Sequence, residues 1–182
     1  MTAVLHHRYL NAPTFHEYVD STRVRQELWR AIAAHVHIPD AYVERVGALP
    51  GERHLLILSE DWCGDAVNTV PVIAHLAELA PNLDCRILAR DENPDLMDAH
   101  LTGTSRSIPV AILLDDHFEE LSWWGPRPRP LQQWVLTEGL ALPKPDRYRE
   151  VRRWYARDHG LTTLEEIATM LEVNSVREGV SQ

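Results

Sequence analysis

The sequence predicts an α/β fold, a central mixed sheet of about four strands flanked by helices, with extra helices at both termini. Three observations carry this reading. The middle of the chain alternates short apolar runs with helix-period segments. The order there is strand, helix, strand, helix, strand, strand, helix, which combines a parallel pair with an antiparallel hairpin. Both ends read as helical, with no strand signal. The parts expected are a helical extension over residues 1–49, the α/β domain over 50–142 and a second helical extension over 143–182.

Each element has a local cause. Residues 14–48 read as helical. Thr14 and Glu17 have the spacing of a capping box, in which each side chain satisfies a free amide of the other's region. Val24, Leu28, Ala31, Ile32 and His35 fall on one helical face, and Pro39-Asp40 suits a fresh start toward Val46. Pro50-Gly51 breaks the chain. Residues 55–58 are a short apolar run, expected as a buried strand. Val67, Val70, Ile73, Ala74 and Ala77 give helical periodicity over 63–79, and 83–89 reads as the second strand. Asn93 and Pro94 suit the cap and first residue of a short helix over 94–101. Residues 109–114 and 118–124 flank Asp115-Asp116-His117 as a hairpin. A helix over 130–138 should stop at Gly139. After the stiff connector Leu142-Pro143-Lys144-Pro145, one helix is expected over 147–158. Another should begin after Thr162 or Thr163, with Glu165 and Glu166 set for a capping box. Its apolar face of Leu164, Ile167, Ala168 and Leu171 needs cover from the core, the N-terminal helices or a second copy of the chain. The tail VREGVSQ is expected to fray.

Composition narrows the function. Hydrophobic residues make up 45% and charged residues 25%, ordinary for a soluble globular protein. No apolar run approaches the roughly 20 residues that span a bilayer, so no membrane is expected. The start, MTAVLHHRYLNAPTF, lacks the pattern of a secretory signal. With two cysteines in unlike contexts there is no disulfide framework, and the cytoplasm is the expected compartment. A net charge of −9 repels nucleic acid, whose affinity comes from cationic groups that displace counterions. Arg147, Arg149, Arg152, Arg153 and Arg157 are interleaved with Asp146, Glu150 and Asp158 and read as a solvated mixed-charge face. The histidines His6-His7 and His35-x-His37 lack companions at metal-ligand spacing, so no metal is expected.

Cys63 stands where a buried strand hands over to a helix. Free N–H groups and the partial positive charge at a helix start favour a thiolate. Glu60, Asp61 and Asp65 oppose it. Sequence alone leaves the net direction open.

Here the residues resemble a family. Trp62-Cys63-Gly64-Asp65-Ala66 is similar to the thioredoxin active-site stretch W-C-G-P-C, with Asp for Pro and Ala for the second Cys. Three further matches follow in order. Pro71 lies where thioredoxins kink the active-site helix. Asp91-Glu92-Asn93-Pro94 resembles the family's D-x-N-P. Arg106-Ser107-Ile108-Pro109-Val110 resembles its R-G-I-P-T, and Gly125 matches a glycine after the last strand of the hairpin. The resemblance covers roughly residues 50–140 and implies a thioredoxin-like fold. It implies Cys63 as the nucleophile and a cis Ile108–Pro109 bond facing it. It also implies a substrate groove formed with Trp62, Gly64, Asp65, Ile108, Pro109 and Gly125, with Trp123 and Trp124 on the adjoining loop.

Two departures bear on mechanism. Ala66 replaces the resolving cysteine, and Ile57 replaces a buried aspartate that serves that cysteine's proton transfer in thioredoxins. Cys85, in the second strand, is expected to be a small buried core residue rather than a resolving partner. Three functions stay open. One is a monothiol oxidoreductase without a bound cofactor, acting on protein or small-molecule disulfides, with glutathione or another low-molecular-weight thiol as co-substrate. Another is a redox-inactive peptide-binding or adaptor module. A third is a thiol redox sensor. For the first, the acidic residues beside Cys63 disfavour an anionic tripeptide, with Arg106 as the expected offset. A homodimer through the helical extensions is a further expectation.

Overall fold

Strands buried on both faces read as unbroken apolar runs. Residues 55–58 are such a run, and all four are fully buried. They lie in β1 (Arg53–Ser59), at the centre of the sheet. The structure is a computed structural model that describes residues 2–180 and side chains through residue 176. The sheet has four strands in the order β2-β1-β3-β4. β1 runs parallel to β2 (Leu83–Ala89) and antiparallel to β3 (Val110–Leu114). β3 continues through a turn into antiparallel β4 (Glu120–Trp124). The fourth strand starts later than expected, because Phe118 takes a left-handed φ of 62° in the turn.

Nine helices surround this sheet among the described residues. The first, α1 (Thr2–Asn11), goes beyond the sequence expectation, which began the helical segment at residue 14. Its Leu5 and Tyr9 are buried. Residues 14–48 form three helices: α2 (Phe15–Ser21), α3 (Gln26–His35) and α4 (Asp40–Gly47). The Thr14–Glu17 capping box forms as expected. The face expected for α3 does not: Val24 and Leu28 are exposed, and the inward face is Trp29 with Ile32, Ala33 and Val36. The reason is polar as well as apolar. The Trp29 indole N–H donates to the Asp61 carbonyl at 3.0 Å, and its ring meets Tyr18 edge-on.

The rest of the core follows the expected order. α5 (Ala66–Leu79) carries Pro71 and is almost wholly buried. It is followed by α6 (Pro94–Ala99) and α7 (Arg129–Thr137). Gly125, just past β4, has φ 141°, and a Cβ there would meet the Pro109 carbonyl oxygen at 2.2 Å. A glycine is required for the two loops to lie this close.

Beyond the core, α8 (Lys144–Asp158) and α9 (Leu161–Val180) begin earlier than expected. The turn between them is set by His159 and Gly160 in left-handed conformations, and the Asp158 carboxylate accepts from the Thr162 amide. Glu165 and Glu166 are not capping residues. Glu165 and Glu172 grip the Arg45 guanidinium of α4. Glu166 accepts from the Trp124 indole at 2.6 Å and from the Arg129 amide at 2.8 Å. The apolar face of α9 is covered within the chain: Leu164, Ile167, Ala168 and Leu171 join Tyr9, Phe15, Trp29 and β1 in one core. The segment VREGVSQ, expected to fray, is helical through Val180, and Ser181 and Gln182 lie outside the described residues. No described helix is long and apolar enough to cross a membrane.

Two stability outcomes follow from this packing. Trp29→Ala should cost about 3–5 kcal/mol in urea unfolding, because it leaves a cavity beneath the cysteine loop. Arg45→Ala should cost only about 1 kcal/mol, since its ion pairs are partly exposed.

Candidate functional site

The chain leaves β1 at Ser59 and reaches Cys63 through a short turn, in which the Cys63 amide donates to the Glu60 carbonyl. The Cys63 carbonyl then accepts from the Val67 amide, so the cysteine sits one turn ahead of α5. The backbone N–H of Ala66 points at Sγ from 3.5 Å. Across from it, the Ile108–Pro109 peptide is cis, as expected, and so is Gly125–Pro126. The Cys63 S–H donates to the Ile108 carbonyl at 3.4 Å. Cys63 and the cis-proline loop therefore meet directly, although Cys63 is only 8% exposed.

The fate of the three neighbouring carboxylates differs. Asp61 accepts from the amides of Arg23 and Val24 at 2.8 and 2.9 Å, and so clamps the α2–α3 joint. Glu60 accepts from the Asp91 amide at 2.8 Å. Asp65 is buried, and it meets an Arg127 guanidinium nitrogen at 2.5 Å and the Tyr155 hydroxyl at 3.0 Å. Arg127 comes from the loop after Gly125, and Tyr155 from α8. Neither was a candidate from sequence. Their spacing to Cys63 along the chain gives no signal; only the oddity of an arginine between Pro126 and Pro128 marks the loop.

These contacts set the acidity of the thiol. Burial pushes the Cys63 thiol up, and the Asp65 carboxylate adds to this. The amides of Ala66 and Asp65 and the Arg127 guanidinium pull it down, but less. A carbonyl acceptor at Sγ also favours S–H over S⁻. Burial likewise lifts the Asp65 carboxyl above its ordinary range, against Arg127 and Tyr155. The question left open by the sequence resolves toward a protonated resting thiol.

A cleft of about 560 Å³ opens beside the sulfur. Trp62, Gly64, Asp65 and Ile108 line it together with Cys63. Trp62 is exposed and lies against the Arg90 guanidinium, 5.1 Å from ring centroid to carbon. Gly125 is not part of the lining; its closeness is to the Pro109 carbonyl. Pro109 is buried and does not line the cleft. Trp123 and Trp124 belong to β4 rather than to a loop, and Trp124 is turned toward α9.

The other sulfur is remote. Cys85 pairs in register with Leu55, four residues before Ser59 at the exit of β1. At roughly 3.3 Å per strand residue, that is already about 13 Å, beyond the reach of a disulfide. Cys85 is buried and free, and burial pushes its thiol far up. The position of the missing resolving sulfur is filled by Ala66, fully buried, and Ile57 is equally buried in β1.

Comparisons with known proteins agree with this architecture. No curated protein matches the chain. Among solved structures, a Pseudomonas aeruginosa protein of unknown function is 19% identical. The match covers 90% of this chain and 94% of that one, with a TM-score of 0.71. An HIV epitope scaffold is 20% identical with a TM-score of 0.72, and the match covers 93% and 96% of the two chains. Likeness at this identity speaks of fold, and it extends over the terminal helices as well as the core. The thioredoxin family itself matches residues 12–149, which takes in the cysteine turn, the cis-proline loop and the start of α8. The chain belongs to the thioredoxin family.

Proposed function

We propose that the protein is a monothiol thiol-disulfide oxidoreductase with Cys63 as its nucleophile. The observation that carries this is the 3.4 Å contact between Sγ and the Ile108 carbonyl, at the mouth of a cleft large enough for a small ligand. A substrate sulfur entering that cleft reaches the thiol from the open side.

The cycle needs no second protein sulfur. Cys63 loses its proton to solvent, and the thiolate attacks the R sulfur of a disulfide X–S–S–R. The S–S bond breaks, its electron pair leaves on the other sulfur as the thiolate X–S⁻, and Cys63 carries the R–S group as a mixed disulfide. An external thiol R–SH, as its thiolate, then attacks the R sulfur. Cys63 departs as thiolate, R–S–S–R forms, and the net exchange is X–S–S–R plus R–SH giving X–SH plus R–S–S–R. A low-molecular-weight thiol such as glutathione supplies the last step, and a reducing cytoplasm is the compartment that suits it. The amides of Ala66 and Asp65 and the Arg127 charge would receive the departing sulfur anion.

A specific observation favours a second reading. A thiol that is largely buried, bonded to a carbonyl and held protonated beside Asp65 is what a peptide-binding module could also keep. In that case the groove at Ile108 would bind extended chain by backbone pairing.

Trapping separates the two. Cys63→Ser should abolish mixed disulfides with small disulfide substrates, and Cys85→Ser should leave them intact; mass spectrometry of the intact protein reads both. A module would bind peptides equally well with Cys63→Ser and form no turnover product. The pH profile gives a further check. With its acidity weakened by burial and Asp65, Cys63 should be alkylated slowly at pH 7, with the rate still rising above the ordinary thiol range. Asp65→Asn removes a negative charge and leaves Arg127 unneutralised, so the profile should move to lower pH. That variant should lose roughly 3 kcal/mol of stability by stranding a buried cation. The double variant Asp65→Asn/Arg127→Gln should recover part of this loss while the thiol keeps the shift due to losing Asp65.

A further inference from the structure

A chain with a net charge of −9 surrounds its nucleophile with cations. Arg25, Arg90, Arg106, Arg127, Lys144 and Arg152 all line the Cys63 cleft, and the sole acidic residue in that lining is Asp65. Three of the six are spent within the protein. Arg90 pairs with Asp91, Arg106 with Asp98 and Arg127 with Asp65. Arg106 is thus not the free offset expected from the sequence, since its guanidinium is held by Asp98 at two points of 2.6 Å.

The other three have no carboxylate partner among the described residues. Arg25 is held at the α2–α3 joint by a left-handed φ of 59°. Its guanidinium lies beside Gly64, where a Cβ would come within 3.4 Å of it. Lys144 and Arg152 stand on α8, with Lys144 near the Tyr148 ring. Two parts of the chain outside the core of the fold thus deliver uncompensated positive charge to the rim of one cleft. Asp61 and Glu60, the acidic neighbours of Cys63, do not line it. Asp146 and Glu150 on α8 are taken by Arg149 and Arg153.

Unpaired like charges around a concave site repel one another and are stabilised by a ligand of opposite charge. They also raise its local concentration. Resting on the exchange reading of Cys63, we infer that the cleft selects a small multiply anionic thiol or disulfide. Two or more carboxylates of this ligand engage Arg25, Lys144 and Arg152 while its sulfur meets Cys63. The terminal helices are then the specificity elements and the core of the fold supplies the reacting sulfur. The sulfur chemistry is the exchange written above, with R the anionic group.

The test compares three disulfides of different charge: oxidised glutathione, neutral hydroxyethyl disulfide and cationic cystamine. The rate of Cys63 mixed-disulfide formation is read by mass spectrometry. Each rate is divided by that of the same disulfide with 2-mercaptoethanol, which removes intrinsic reactivity. Oxidised glutathione should lead by roughly tenfold or more at low salt, and the lead should shrink as salt rises. Arg25→Glu/Arg152→Glu should reverse the order of the anionic and cationic disulfides. Both side chains are exposed and unpaired, so the fold should tolerate the change; Arg25→Gln/Arg152→Gln should erase the preference if the reversal destabilises the protein. Equal normalised rates, or an order untouched by both double variants, would overturn the inference while leaving exchange standing. If none of the disulfides modifies Cys63, the exchange reading fails instead. Binding of S-methylglutathione to Cys63→Ser then decides the site alone: salt-sensitive binding weakened by the double variants supports it, and no binding overturns it.

Discussion

The buried contact of Asp65 with Arg127 and Tyr155 ties the site together. Asp65 lies two residues after Cys63, Arg127 in the cis-proline turn beyond β4, and Tyr155 in the C-terminal helical extension. One carboxylate thereby links three segments far apart in the chain. Its cost is electrostatic. A charge taken from water must be matched closely or it is lost to protonation, and here burial already lifts the carboxyl above its ordinary range. The same carboxylate raises the neighbouring thiol, so what holds the cysteine loop in place also restrains its reactivity.

That restraint accompanies the loss of the second active-site sulfur. Thioredoxin chemistry closes an internal disulfide across one helical turn; here the second position is Ala66, packed in the core, and Ile57 occupies the strand beneath it. Both residues contribute to cohesion, each adding apolar burial where a polar or reactive group would need partners. What remains is a lone sulfur, a carbonyl across from it and a cleft. On the proposed exchange reading, a second thiol and the choice of partner would come from outside this core.

The surroundings are the helical extensions. They are not appendages, since α1, α2, α3 and α9 share the core with the central strands, and α7 and α8 form a smaller cluster of their own around Leu131, Val135, Val151 and Tyr155. The mixed-charge face read in α8 is largely that, with Arg149 and Arg153 paired to acidic neighbours along the helix. Arg152 is different because helical rotation turns it away from those pairs and into the cleft. A count of charges along the chain averages over this distinction. An acidic protein can thus present a basic cleft beside its cysteine turn.

The sequence by itself determined the strand and helix order, the sulfur that stands ahead of α5 and the absence of a second one within reach. Those features are local: periodicity, caps and breakers act over a few residues, and the order of Trp62-Cys63-Gly64 and Ile108-Pro109 is carried by the chain itself. It missed α1 and assigned Val24 and Leu28 to the inward face of α3, since both are decided by packing; burial of Trp29 was expected, but its partner, a carbonyl 32 positions away, was not. Only the tertiary structure decided that Asp65 would be buried against an arginine and a tyrosine, the latter 90 positions distant. It also decided that Arg25, Lys144 and Arg152 would converge while Asp61 turned aside. Coulomb energy depends on separation in space and on the solvent between charges, and neither is written in the order of the residues.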